Sequence, residues 1–244
     1  MAKKVKTLKL TKYRKPLLYN CDSLVTRFET ASLTIEVGQA STKAAIALMS
    51  SSTRSSATMA AKHKISVDNM AKSELLVLVH AGLIQEWNIF LDTVFSKVVI
   101  YYLETNKWNA LPSQKIDLKR IRANNLVNMR ESISEAAKEA FSRRSYKERI
   151  KTLRKIFQVK HSTIDTEMTM HVEVRNIFQH HRGLIRRTDL DKIGQPAGGY
   201  FELLDENKKQ KRFYDCEKIE LSKPEIDNLN GIIKNYSERF EDLS

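Results

Sequence analysis

Residues 73–103 read SELLVLVHAGLIQEWNIFLDTVFSKVVIYYL, and their spacing decides the fold class. Leu76, Val79, Leu83, Trp87, Phe90, Val94, Val98 and Tyr101 recur at steps of three and four, while Gln85, Asn88, Asp92 and Ser96 take the other face. Side chains at those steps share one side of a 3.6-residue turn, so the stretch predicts a long amphipathic helix. Its apolar length raises the question of a membrane span. Glu86, Asp92 and Lys97 would each cost kilocalories in hydrocarbon, and the reading is a core helix.

Downstream, Trp108 to Ile116 with Pro112 breaks the pattern, and Asp117 suits the cap of a second helix whose stripe holds Leu126, Met129, Ile133, Ala137 and Phe141. A third helix is predicted over Tyr146 to Val159, with Ile150, Leu153, Ile156 and Phe157 inward and Lys147, Arg149, Lys151, Arg154 and Lys155 outward. A fourth opens near Ser162 or Thr163 and ends before Gly183. Beyond a turn at Gln195-Pro196-Ala197-Gly198-Gly199, the runs 200–204 and 212–214 are set to pair as a hairpin around the polar loop 205–211. Ser222-Lys223-Pro224-Glu225 then opens a final helix, because it joins an S-x-x-E capping box to a proline in the first turn. Ile226, Leu229, Ile233, Tyr236, Phe240 and Leu243 form its apolar face.

Upstream, Leu33 to Val37 alternates like a strand, but Leu24, Phe28, Ala31, Ile35, Thr42, Ile46 and Met49 extend a helical pattern over Asp22 to Met49, and the longer pattern prevails. In residues 50–58, seven of nine are Ser or Thr, which predicts a linker. The expected organisation is thus a basic arm and helical extension with that linker (1–72), a helical bundle (73–187), and a loop, hairpin and last helix packed on it (188–244). The fold class is mainly α, an antiparallel helical bundle with a small C-terminal β-hairpin.

Composition agrees. Seven Gly and four Pro in 244 residues leave little punctuation for a turn-rich β fold, and 41% hydrophobic residues supply a core. Lys and Arg number 42 against 29 Asp and Glu, a net charge of +13 that favours polyanionic partners. Seven of the basic residues lie in 1–15, among them Lys12 and Arg14 beside Tyr13, without an acidic neighbour or a following apolar run. That suits contact with nucleic acid rather than a secretory signal. Cys21 and Cys216 are far apart and no C-x-x-C occurs, so neither a disulfide framework nor a zinc site is signalled and a cytoplasmic setting is expected. Walker, G-x-G-x-x-G, H-E-x-x-H and G-x-S-x-G motifs are absent.

The most informative stretch is His171-Val172-Glu173-Val174-Arg175-Asn176-Ile177-Phe178-Gln179-His180-His181-Arg182-Gly183. Histidine titrates near neutrality and can take or return a proton, whereas guanidinium stays charged and grips phosphate oxygens. Cutting RNA without a metal needs both: a base for the 2′-hydroxyl and a cation for the phosphate. Arg175 and His180 are the candidates, with Asn176 to orient the histidine or a phosphate oxygen. Arg182, Arg186 and Arg187 would flank the cut, and His181 and Glu86 are accessory candidates. On a regular helix, residues five apart are rotated by about 140°. Either the helix loosens near His180, or a second copy completes the site across a two-fold axis. A structural account also exists, in which Arg175 pairs with Glu173 or Asp165 and the histidines complement the helix dipole.

The motif Arg175-Asn176-x-x-x-His180, closed by Gly183 and preceded by the acidic-aromatic pair Glu86-Trp87 and the run Ile89-Phe90-Leu91, resembles the HEPN superfamily in its RiboL-PSP and related toxin-type branches. The resemblance spans roughly 73–187. It implies a metal-independent endoribonuclease with no cofactor, acting as a toxin or antiviral defence effector. It further implies a homodimer with two motifs in one cleft, RNA as substrate, no membrane, and restraint by an antitoxin or regulatory partner. The alternative is a dimeric RNA-binding or scaffold protein that keeps the bundle and does no chemistry.

Overall fold

The computed structural model describes residues 7–47, 51–105, 126–195 and 198–243. The chain is mainly helical: α1 (Thr11–Ala47), α2 (Ser51–Thr105), α3 (Leu126–Ser142), α4 (Tyr146–Phe157), α5 (Thr163–His181) and α6 (Arg187–Lys192) precede β1 (Phe201–Leu204), β2 (Gln210–Phe213) and α7 (Lys223–Glu238). The expected break at 108–116, the Asp117 cap, Lys3, Lys4, Lys6 and the turn residues Pro196 and Ala197 lie outside the described residues.

Two compact units emerge: 1–20, 84–172 and 231–244 form the first, 21–83 and 173–230 the second. The first is built on an aromatic core. Trp87 stacks on Phe90, Tyr236 and Phe240 at centroid separations of 5.5, 5.1 and 6.4 Å, and its indole N–H donates to the Tyr146 hydroxyl over 3.2 Å. Phe95 lies flat on Phe141 at 4.1 Å. Burial pushes the Tyr146 hydroxyl far above its ordinary pKa, so it stays neutral. Arg149, expected on the outer face of α4, is instead buried in this core, where its charge is satisfied by Asn88 Oδ1 (2.8 Å), Asn88 O (3.1 Å) and Asp92 Oδ1 (2.7 Å), to which it donates. Burial still pushes its pKa down despite Asp92. Ala57–Thr105 is long and apolar enough to cross a membrane, yet Ile84, Trp87, Leu91, Val94 and Val98 are sealed inside this unit. Leu8 and Leu243 close it as an antiparallel bridge, exchanging N–H···O bonds of 2.8 and 3.1 Å.

In the second unit, residues 21–47 of α1 and 51–83 of α2 face each other through Glu36 with Lys72 (2.8 Å), Gln39 with Asn69 (3.2 Å) and Thr42 with Lys64 (3.0 Å). One partner's number falls as the other's rises, so the helices are antiparallel. β1 and β2 pair in register from Phe201 with Phe213 to Leu204 with Gln210, and bury Phe201, Leu203 and Phe213. Asp205 Oδ1 accepts from the amides of Asn207 and Lys209, both at 2.8 Å, and fixes the turn. At the start of α7, Ser222 Oγ accepts from Glu225 N at 3.2 Å, and the Glu225 carboxylate accepts from the Leu204 amide, which ties the helix start to β1.

Three further expectations need correction. The Ser/Thr-rich linker is helix, since α2 begins at Ser51; Ser and Thr lower helix propensity by only tenths of a kcal/mol each, and no Gly or Pro occurs between Gly38 and Gly82. The boundaries after 72 and 187 accordingly fall within α2 and α6. α1 starts at Thr11 rather than Asp22, with Pro16 inside it, and so absorbs part of the basic arm. Phe240 and Leu243 lie past the end of α7, although Phe240 is fully buried.

Candidate functional site

The motif occupies the last two turns of α5, in the second unit. α5 remains helical through His181, so it does not loosen at His180. The end is then locked: Arg182 (φ 54°) and Gly183 (φ 88°) are left-handed, and the Gly183 amide returns to Ile177 O at 3.2 Å. A Cβ on Gly183 would meet the Phe178 ring at 2.9 Å, so both the conformation and the space demand glycine. Ile185 and Ile219 anchor the turn through the bonds Ile185 N to Glu217 O (2.9 Å) and Ile219 N to Gly183 O (2.9 Å).

Arg175 is half-buried and lines a cleft of about 180 Å³ with Val77, Leu78, His80, Ala81, Phe178 and Gln179. Its guanidinium reaches Asn176 Oδ1 at 3.4 Å, and Asn176 Nδ2 reaches Glu173 Oε2 at 3.4 Å, both long contacts. His180 is exposed, and its ring meets the His181 ring edge-on at 6.5 Å. Among the described residues no hydrogen bond joins Arg175 to His180. Neither does Arg175 pair with Glu173 or Asp165.

His181 has a different setting. Its Nδ1 lies 3.0 Å from Oδ2 of the buried Asp189, which also accepts from the Arg186 amide (3.0 Å) and Lys192 Nζ (3.1 Å). Burial alone would raise the Asp189 carboxyl, but those donors together hold it below the usual carboxylate range. This network ties α6 to the end of α5 and makes His181 a structural histidine. Arg182 and Arg186 are exposed, whereas Arg187 is tethered to Asp191 (3.1 Å) and Gln195 O (3.4 Å).

The remaining candidates lie in the first unit. Glu86 Oε2 accepts from Asn20 Nδ2 at 2.8 Å. Lys12 is exposed and sits over the Tyr13 ring at 4.9 Å. Arg14 donates to Ser237 O and Phe240 O, each at 3.1 Å, and so caps the end of α7. Sequence reasoning missed His80 and Asp189. His80 shares a helix face with Val77 and Ala81, and Asp189 stands three residues after Arg186 at a helix start; those are the only signals either offered.

No family model, no curated protein and no solved structure matches the chain.

Proposed function

We propose that the chain is a HEPN-type endoribonuclease, a cytoplasmic toxin or antiviral defence effector that cleaves RNA without a metal ion. The observation carrying this reading is Arg175-Asn176-x-x-x-His180 on a helix end locked at Gly183, with His180 free to meet a substrate and Arg175 opening into a cleft. His180 takes the proton of a 2′-hydroxyl, the freed oxygen attacks the adjacent phosphorus, and the 5′-oxygen leaves with a proton from a protonated histidine, giving a 2′,3′-cyclic phosphate and a 5′-hydroxyl. Arg175 neutralises the charge building on the phosphate. Because α5 stays regular, the opposite motif comes from a second copy, whose His180 reaches the Arg175 cleft across a two-fold axis. Arg182 and Arg186 hold the flanking phosphates.

Total cellular RNA incubated with the protein in EDTA tests this. Wild type yields fragments with cyclic phosphate ends, and His180→Ala and Arg175→Ala yield none while melting like wild type. Cleavage surviving either change removes the assigned roles. The missing Arg175–His180 contact within one chain favours a second reading, a non-catalytic RNA-binding dimer. It predicts salt-sensitive RNA binding, no cut products and indifference to His180→Ala.

A further inference from the structure

Four large apolar side chains of α2 stand in solvent in the second unit: Met59 (73% exposed), Val67 (50%), Met70 (62%) and Leu78 (66%). At 100° per residue they fall within an arc of about 100°. That arc points away from Ala61, Leu76 and Val79, which are buried. His63 and Glu74 fall in the same arc, and both are exposed. The stripe is therefore a continuous, nearly uncharged face on a chain whose net charge is +13.

The spacing of the stripe is the decisive feature. Positions 59, 63, 67, 70, 74 and 78 are separated by four, four, three, four and four residues, so the pattern reads the same in both directions. An antiparallel copy of the helix can lie along it with every position meeting another stripe position. Met59 then faces the partner's Leu78, Val67 faces the partner's Met70, and His63 faces the partner's Glu74. Apolar residues meet apolar residues, and the two polar ones meet as an acid and a base. A parallel copy would instead stack Glu74 on the partner's Glu74, which like charges disfavour. Self-complementarity under a two-fold rotation is what an isologous interface requires.

We propose that this stripe is a docking surface for α2 of a second copy, running antiparallel about a two-fold axis that passes between residues 68 and 69. The contact sets the two Leu78 residues about 28 Å apart along the helix axis, from 1.5 Å of rise per residue. It borders the motif at Leu78, which also lines the Arg175 cleft, but it does not rest on the ribonuclease reading.

Sedimentation equilibrium of the full chain under reducing conditions tests it. Met70→Asp halves the mass of the assembly. His63→Glu weakens association about tenfold or more, because two symmetric attractions become repulsions. Adding Glu74→Lys to His63→Glu restores it. In a Cys216→Ser background, the pair Val67→Cys and Met70→Cys forms an intermolecular disulfide in air, a readout that does not depend on weakening anything. His180→Ala leaves the mass unchanged, which keeps this contact distinguishable from the site chemistry. A wild-type protein of single-chain mass up to a concentration on the order of 0.1 mM, or an assembly indifferent to both Met70→Asp and His63→Glu, overturns the proposal.

Discussion

The part of α2 in the first unit and the part in the second unit lie in unlike surroundings. From Ile84 onward, the apolar side is sealed: Trp87, Leu91, Val94, Phe95 and Val98 are inaccessible, and aromatic rings from α3 and α7 lie against them. Between residues 57 and 75 only Ala61 is buried, and exposed polar pairs reach the neighbouring helix. Such exposed pairs are screened by solvent and hold the helices together only weakly. Helical periodicity thus specifies the element, whereas the number of apolar neighbours specifies how much that element stabilises the fold.

Substitutions probe this contrast from its strongest point downward. Trp87→Ala should cost about 3–5 kcal/mol, because it removes the stacked core of the first unit and strands the Tyr146 hydroxyl. Urea unfolding reads the loss directly, and a cost below about 1 kcal/mol would mean that the aromatic cluster does not anchor that unit.

Next in size is an acid effect at His171. Burial pushes this histidine down to about 4, so it is neutral in the folded chain at a pH where the unfolded chain already takes up a proton. Its contribution is complete above about 6.5, the unfolded value, and is lost as pH falls toward 4. The interval amounts to about 3 kcal/mol, at 1.36 kcal/mol per unit. His171→Leu should therefore flatten the acid side of a melting-temperature profile between those limits, and an unchanged slope would show that some other group carries it.

Smallest is Leu33→Ser on the solvent side of α1, where a 61% exposed side chain has little to lose. Stability should stay within about 0.5 kcal/mol of wild type. A larger loss in dilute monomer would mean that the outer side of α1 is covered.

Much of this fold was legible in the sequence. The helices from Tyr146 and Thr163, the hairpin and the last helix follow from strong local signals: the stripe Ile150, Leu153, Ile156 and Phe157, a left-handed glycine at Gly183 and a Ser-Lys-Pro-Glu start. The Ser/Thr run misled because such residues mark loops only when a breaker accompanies them, and here none does. α6 was missed because its six residues are held by Asp189 receiving two side chains and an amide, a tertiary arrangement without periodicity. The site was legible as a list of residues but not as an arrangement. Spacing alone implied that Arg175 and His180 diverge, and the regular course of α5 agrees. Nothing in the spacing revealed that Arg14 would be engaged with carbonyls at the end of α7, or that His80 would share the Arg175 cleft.

The paired amides and carbonyls of Leu8 and Leu243 have a topological consequence. Hydrogen-bonded to each other across 235 positions of sequence, these residues make the backbone nearly a closed ring. The linear order of the helices is then one of several equivalent ways of cutting that ring. A chain opened at the exposed turn near Lys208, with Leu8 and Leu243 bridged directly by a short link, would trace the same path in space.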